Sequence, residues 1–333
     1  MTTLPSALLA PRRRALRNGL ISLACVLALP GMASAQATYP DQPIKIILPF
    51  GAGGLADIST RLVAQKLAEQ LGQQVVIENR PGAGGIVAAN ATRSAAADGY
   101  TLTLFANGTA ISQTLFKLPY DLTRDFAPIS TMAYFDLVLL TRASGPLQSL
   151  DDVLAESKKR QIVLGTINPG STQNLSAELF RSLSGINAMV VPFKATPEVL
   201  TALIRGDVDV MFESYAALKS AVEAGQARAI ATTGAERSAW LPHVPTVRES
   251  GVSGYEVTGW NALFAPAGTP ADRIGRLNQA INRVMAMPEV RQRFLELGTL
   301  AKGSTPAELE AILTRDIAKW ADVIRQAGIP TQQ

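Results

Sequence analysis

Two glycine-rich segments, each placed where an apolar strand hands over to a helix, constrain this chain more than any other feature. The first is Pro49-Phe50-Gly51-Ala52-Gly53-Gly54, directly after the run Ile44-Lys45-Ile46-Ile47-Leu48. The second is Asn79-Arg80-Pro81-Gly82-Ala83-Gly84-Gly85, after Val75-Val76-Ile77. Glycine tolerates positive φ and lets the main chain approach a ligand closely. A helix that begins at such a loop offers unpaired N–H groups and the positive end of its dipole. Two ends of this kind side by side make an anion site without a charged side chain.

The surrounding pattern extends this unit. Residues 57–71 have helical spacing, with Leu62, Leu67 and Leu71 on one side. A helix over 86–97 and a strand over 100–105 follow, and this βαβαβ order predicts a parallel sheet with helices on its faces. Ligands on such sheets lie outside the carboxyl ends of the strands, where the glycine loops sit. Asn107, Gly108 and Thr109 follow the third strand and are expected to reach the same side. A second unit begins near 137–141, with strands at 162–164, 188–192, 208–212 and 228–232 alternating with helices at 150–159, 197–205 and 215–224. In the loop Asn168-Pro169-Gly170-Ser171-Thr172, Ser171 or Thr172 caps a helix that runs through Ser184. Beyond 254–257, helices over 271–285, 288–297 and 306–326 follow one another without intervening strands.

The start of the chain bears on where it works. Arg12, Arg13, Arg14 and Arg17 precede a short apolar run over 19–29, and Ala33-Ser34-Ala35 follows. Basic, apolar and small residues in that order predict a secretory signal peptide over 1–35 and a periplasmic protein beginning at Gln36. The run is short of the ~20 apolar residues that a membrane span needs. Ala15-Leu16-Arg17 fits a twin-arginine signal poorly, so the general secretory route is expected. Cys25 sits inside the apolar run. Removing 35 of 333 residues leaves 298. It takes four of the 31 basic residues and none of the 27 acidic ones, so the remainder is neutral. Nucleic-acid binding thereby loses its electrostatic footprint. Disulfide and thiol chemistry leave with the cysteine, and 298 residues make two domains of ordinary size the expectation.

Catalytic readings find little support in the residues. Gly51-x-Gly53-x-x-Ala56 after a strand, with Glu78 ending the next, has the outline of a dinucleotide fingerprint and keeps a Rossmann-like oxidoreductase as the alternative. Export, the interposed Pro49-Phe50 and a second glycine loop directly after Glu78 all oppose it. His243, the one histidine, lies in Pro242-His243-Val244-Pro245, a poor setting for a triad base, and no second histidine or cysteine is left for a zinc site. Asp207 and Asp209 alternate with valines and share a strand face, where a solvated or turn-bracing pair is the plain reading. No enzyme activity, metal or cofactor is expected.

Several stretches together resemble the periplasmic solute-binding proteins of the tripartite tricarboxylate transporters, the Bug (TctC-like) family. They are 49–57, 78–85 with Asp98-Gly99-Tyr100-Thr101-Leu102, 206–212, Pro242–Pro245 with Thr246, and 263–270. The resemblance covers nearly all of the chain after the signal. It implies an α/β flytrap of two domains, each a mostly parallel sheet flanked by helices, with the ligand in the cleft. Domain 1 would take 38–137 plus 260–333, and domain 2 would take 138–259. It implies a small carboxylate ligand, a dicarboxylate or an aromatic acid, delivered by a monomer to a membrane transporter or sensor. One ligand carboxylate would meet the first glycine loop, at Phe50, Gly51, Ala52, Gly53, Gly54, Leu55 and Asp57, with Gly84 and Gly85 of the second loop nearby. Asp57 suits a loop-locking role better than a ligand contact. The other end would face Gly170, Ser171, Thr172, Phe193, Lys194, Ala195 and Thr196. Asn174 stands where the family commonly has histidine, and Phe193-Lys194-Ala195-Thr196 replaces its Tyr-Lys-Gly-Ser run. These departures bear on the ligand's identity and not on the fold. Glu213 is expected at the rim or hinge, and Trp260 at a hinge or cleft wall.

Overall fold

A computed structural model describes residues 39–52, 55–82, 85–167, 169 and 171–331. The expected signal peptide and four expected site glycines, Gly53, Gly54, Gly84 and Gly170, lie outside the described residues. The first series of elements is β1 (Ile44–Leu48), α1 (Leu55–Leu71), β2 (Val75–Asn79), α2 (Ile86–Arg93), β3 (Thr101–Ala106) and α3 (Asn107–Leu115). β1 pairs in parallel with β2 on one side and β3 on the other. Isoleucine and leucine fill both faces of β1, as a strand covered by helices on both sides requires.

The second series is β4 (Phe126–Arg142), α4 (Leu150–Glu156), β5 (Ile162–Ile167), α5 (Thr172–Ser184), β6 (Ala188–Phe193), α6 (Thr196–Arg205), β7 (Val210–Ser214), α7 (Tyr215–Glu223) and β8 (Ala227–Thr232). β5 pairs in parallel with β6 and β7. The chain closes with β9 (Thr258–Pro266), α8 (Ala271–Ala286), α9 (Pro288–Glu296), β10 (Leu300–Ala301) and α10 (Pro306–Ala327). The expectation of no strand among the last helices is corrected by β10, which pairs antiparallel with β4 at Tyr134 and Ala133.

The 17-residue β4 joins the two series. Phe126 to Asp136 pairs antiparallel with β9, which also pairs with β3. From Leu137 onward β4 leaves β9 and pairs with β7 and β8. The strand order is thus β2-β1-β3-β9-β4-β7-β5-β6, with the crossing at Asp136-Leu137. Behind it, α10 packs on α3, α5 and β4, and Trp320, Val323 and Ile324 enter a core shared with Phe105, Phe180 and Trp260. Its start is fixed by a reciprocal cap between Thr305 and Glu308 with Pro306 in the first turn, and its end by Gly328 at φ 65°.

Candidate functional site

A cavity of about 390 Å³ opens at the carboxyl ends of β1, β3, β5 and β7. Each of these strands runs into a helix whose start supplies wall. The α1 end gives Phe50, Leu55 and Ala56, and the α3 end gives Ala106, Asn107 and Gly108. The α5 end gives Ser171, Thr172 and Gln173 with Ile167, and the α7 end gives Ser214. The crossing strands complete it with Phe135 and Leu137 of β4 and Asn261 of β9. Among the described lining residues none carries a charged side chain. Such a wall can meet an anion only with main-chain N–H groups, helix dipoles and neutral side chains.

The helix ends differ in how they are finished. Ser171 caps α5: its Oγ accepts from the Asn174 N–H at 3.1 Å and donates to the Ile167 carbonyl at 2.7 Å. The expectation of Ser171 or Thr172 as cap thus resolves to Ser171. At α3, Thr109 Oγ1 accepts from the Ala106 N–H at 3.2 Å, but Ala106 has no oxygen to return. No side chain caps the first turn of α3, and its N–H groups border the cavity at Asn107 and Gly108.

Asn107 ties three helices together. Its Nδ2 donates to Asp316 Oδ2 of α10 at 3.1 Å, and its Oδ1 accepts from Thr172 Oγ1 of α5 at 3.1 Å. Trp260 Nε1 donates to the same Asp316 oxygen at 2.7 Å, so of the hinge or cleft wall expected for this tryptophan the cleft wall is excluded: it is core, paired with Tyr134 near the β4 crossing. Of the rim or hinge expected for Glu213, burial excludes the rim, and pairing with Val138 sets the residue beside the β4 crossing. It accepts from Gln173 Nε2 at 2.8 Å and from Thr196 Oγ1 at 2.6 Å, which fixes the α5 and α6 starts to the end of β7.

Asp57 braces the first loop. It pairs with Arg61 at 2.9 Å and accepts from Asn79 Nδ2 at 2.9 Å, and the same Asn79 amide donates to the Phe50 carbonyl at 3.0 Å. Of the expected site residues, the structure brings Phe50, Leu55, Asn107, Gly108, Ser171 and Thr172 onto one cavity wall. Gly51 and Ala52 are exposed beside it. Gly85 caps α2 at φ 74°, where a side chain would crowd Pro49, and Thr109 is buried under the α3 start. Phe193, Lys194, Ala195 and Thr196 are not on the wall: Phe193 packs on the core beneath α6, Lys194 is exposed, Ala195 caps α6 and Thr196 holds Glu213. Phe135 and Asn261 are wall residues that the sequence reading missed. Neither belongs to a loop motif, and only the pairing of β4 with β9 brings them to the site.

Two other groups bear on the rejected chemistries. Glu78, the acid of the dinucleotide outline, is paired with Arg80 and with Lys45, and these hold its carboxyl below the usual range. Asp209 takes two bonds from Arg160, at 2.9 and 2.8 Å, beside a smaller cavity of about 160 Å³ at the opposite end of β5 and β7. At the strand crossing, Asp136 is held by Ser238 Oγ at 2.8 Å and Thr258 Oγ1 at 3.4 Å, and burial raises its pKa.

Comparison with known proteins matches residues 59–329 to the family described as "Tripartite tricarboxylate transporter family receptor". Protein BugT of Bordetella pertussis is 33% identical over 309 residues, covering 91% of this chain and 95% of that protein. Among solved structures, Rpa4515 of R. palustris with adipate has a TM-score of 0.77 and 32% identity, covering 88% of this chain and 99% of that one. MatC of Rhodopseudomonas palustris with bound malate has a TM-score of 0.72 and 32% identity, covering 86% and 100%.

Proposed function

The chain belongs to the tripartite tricarboxylate transporter family of receptors, and we propose that it captures one small carboxylate in this cavity for delivery to a membrane transporter. The observation that carries the reading is the convergence of four helix starts on a cavity whose described wall has no charged side chain. One favourable helix end contributes ~0.3–1 kcal/mol to a carboxylate, and up to ~2 kcal/mol when partly buried. Micromolar affinity needs about −8 kcal/mol, so several N–H donors and burial of the ligand must act together. Adipate and malate in the related proteins support the ligand class.

Burial comes from closure. The halves on either side of the β4 crossing, 38–137 with 260–333 and 138–259, act as domains that bend about Asp136-Leu137 and the return before Thr258. The ligand biases that equilibrium toward the closed form. The protein is exported, its first 35 residues are removed, and it works in the periplasm as a monomer. A receptor role places chemistry elsewhere, and the pairing of Glu78 with Arg80 and Lys45 counts against the dinucleotide alternative.

Titration calorimetry of the mature protein with adipate, malate and benzoate tests the reading. Saturable one-to-one binding of at least one, with a smaller radius of gyration by solution scattering, is expected. Absence of heat with all three at millimolar concentration would refute it. Intact-mass analysis of the periplasmic protein should give a chain beginning at Gln36.

A further inference from the structure

The floor of the cavity is made by two strands and not by loops. β4 contributes Phe135, β9 contributes Asn261, and the register sets Phe135 opposite Gly259. A Cβ on Gly259 would lie 2.3 Å from Cε2 of Phe135, well inside contact. The ring therefore rests directly on the main chain of β9, and its remaining surface is cavity wall. Gly259 determines how deep the ring sits.

Asn261 stands opposite Ala106, at the open end of α3. It is 3% exposed and lines the cavity, and among the described residues its amide makes no hydrogen bond. Of the other polar side chains on the wall, Asn107 is engaged with Asp316 and Thr172, Ser171 is a cap and Gln173 donates to Glu213, while the Ser214 hydroxyl makes no side-chain bond among the described residues. The Asn261 amide thus opens onto the cavity, where water or a bound molecule supplies its partner.

We infer that Asn261 and Phe135 select the cargo, and that the cargo is a carboxylate with a flat apolar body, an aromatic acid. This rests on the reading of the cavity as a carboxylate site. The carboxylate accepts from Asn261 Nδ2 beside the first turn of α3, and the ring lies against Phe135 between Leu137 and Ile167. A short hydroxylated acid gains less, because its hydroxyl faces a mostly apolar wall on which, besides Asn261, Ser214 alone among the described side chains offers an unengaged polar group.

Calorimetry with benzoate, adipate and malate on the native sequence and three variants tests this. The native protein is expected to bind benzoate at least about tenfold more tightly than malate. Phe135→Ala should shrink that ratio at least about fivefold, through the lost ring contact. Gly259→Ala pushes the ring into the cavity and should weaken benzoate more than malate. Asn261→Leu should weaken all bound acids by about tenfold or more, since each loses the same donor. Melting temperature and circular dichroism separate misfolding from loss of contact, and Phe135→Ala, which only removes atoms facing a cavity, keeps the test alive if Gly259→Ala unfolds. Malate binding as tightly as benzoate, or an unchanged ratio in Phe135→Ala, overturns the inference. Adipate binding without benzoate binding overturns it while leaving the carboxylate site standing. No binding by any acid removes both.

Discussion

The α3 and α5 starts occupy equivalent places, each at the carboxyl end of a parallel strand and each on the cavity wall, yet only one is closed. α5 satisfies its first turn internally, through Ser171. α3 has half of the same device, because Thr109 serves the Ala106 N–H while alanine at the cap returns nothing. A cap oxygen is worth ~0.5–2 kcal/mol, so its omission at a buried helix end has a cost that a ligand can offset. On the proposed reading the two ends have different duties: α5 positions the wall, and α3 receives the anion. Asn107 links the two, being both the first residue of α3 and the acceptor for Thr172 of α5.

The largest expected effect comes from making α3 resemble α5. Ala106→Asp supplies an acceptor and a negative charge at the open end. Ligand affinity should fall by more than about tenfold, or 1.4 kcal/mol, while thermal stability holds or rises. Calorimetry and melting of the same sample check both parts, and undiminished affinity would break the comparison. Next in size is the link. Asn107→Leu leaves Asp316 with fewer donors and Thr172 without its acceptor, and should cost about 1–3 kcal/mol in urea unfolding. Ser171→Ala should cost ~1 kcal/mol of stability and change affinity little, since α5 then merely loses its own cap. A large affinity loss there would assign anion binding to both ends.

The smallest effect lies outside both ends and serves as a control. Burial raises the pKa of Asp136 above its ordinary 3.8, so the folded chain favours its protonated form. The stability this contributes is fully present below the unfolded value and is lost as pH rises through the raised one. Asp136→Asn should therefore be more stable than the native protein at pH 7, with the advantage shrinking toward pH 4. Parallel denaturant curves at the two values measure it. Carboxylates shifted the other way by their partners, such as Asp121 and Asp125, contribute equally to both proteins and cancel.

Much of this arrangement was legible from local pattern. The β1 run, the β1–α1 loop and the cap at Ser171 are short-range features, and there propensity, turn chemistry and periodicity agree. Asn107 and Gly108 were placed at the site by strand direction alone. The misses share a cause. Phe135 and Asn261 depend on the register of a long antiparallel pair closed over more than a hundred residues of chain, and nothing near either residue encodes it. The long β4 was read only from its second half, because its first half, from Phe126 to Asp136, mixes Ser, Thr and Pro with apolar residues and lacks a clean alternation. For Glu213 the expectation is the rim or the hinge, and its burial excludes the rim. Its burial is possible only because Gln173, Thr196 and the Ser214 N–H surround it.

On the proposed reading, the lack of charged side chains on the described cavity wall also governs unloading. In a site built on arginine, departure of the cargo strands a buried cation whose desolvation must be made good before the empty form relaxes. Here the donors left behind are peptide N–H groups and one amide, which water can satisfy as it enters. The barrier to letting go is then set by reopening and rehydration, with no ion pair to break. Dissociation should respond weakly to added salt. Such a carrier can hold its passenger firmly while closed and surrender it quickly once another protein pries the halves apart.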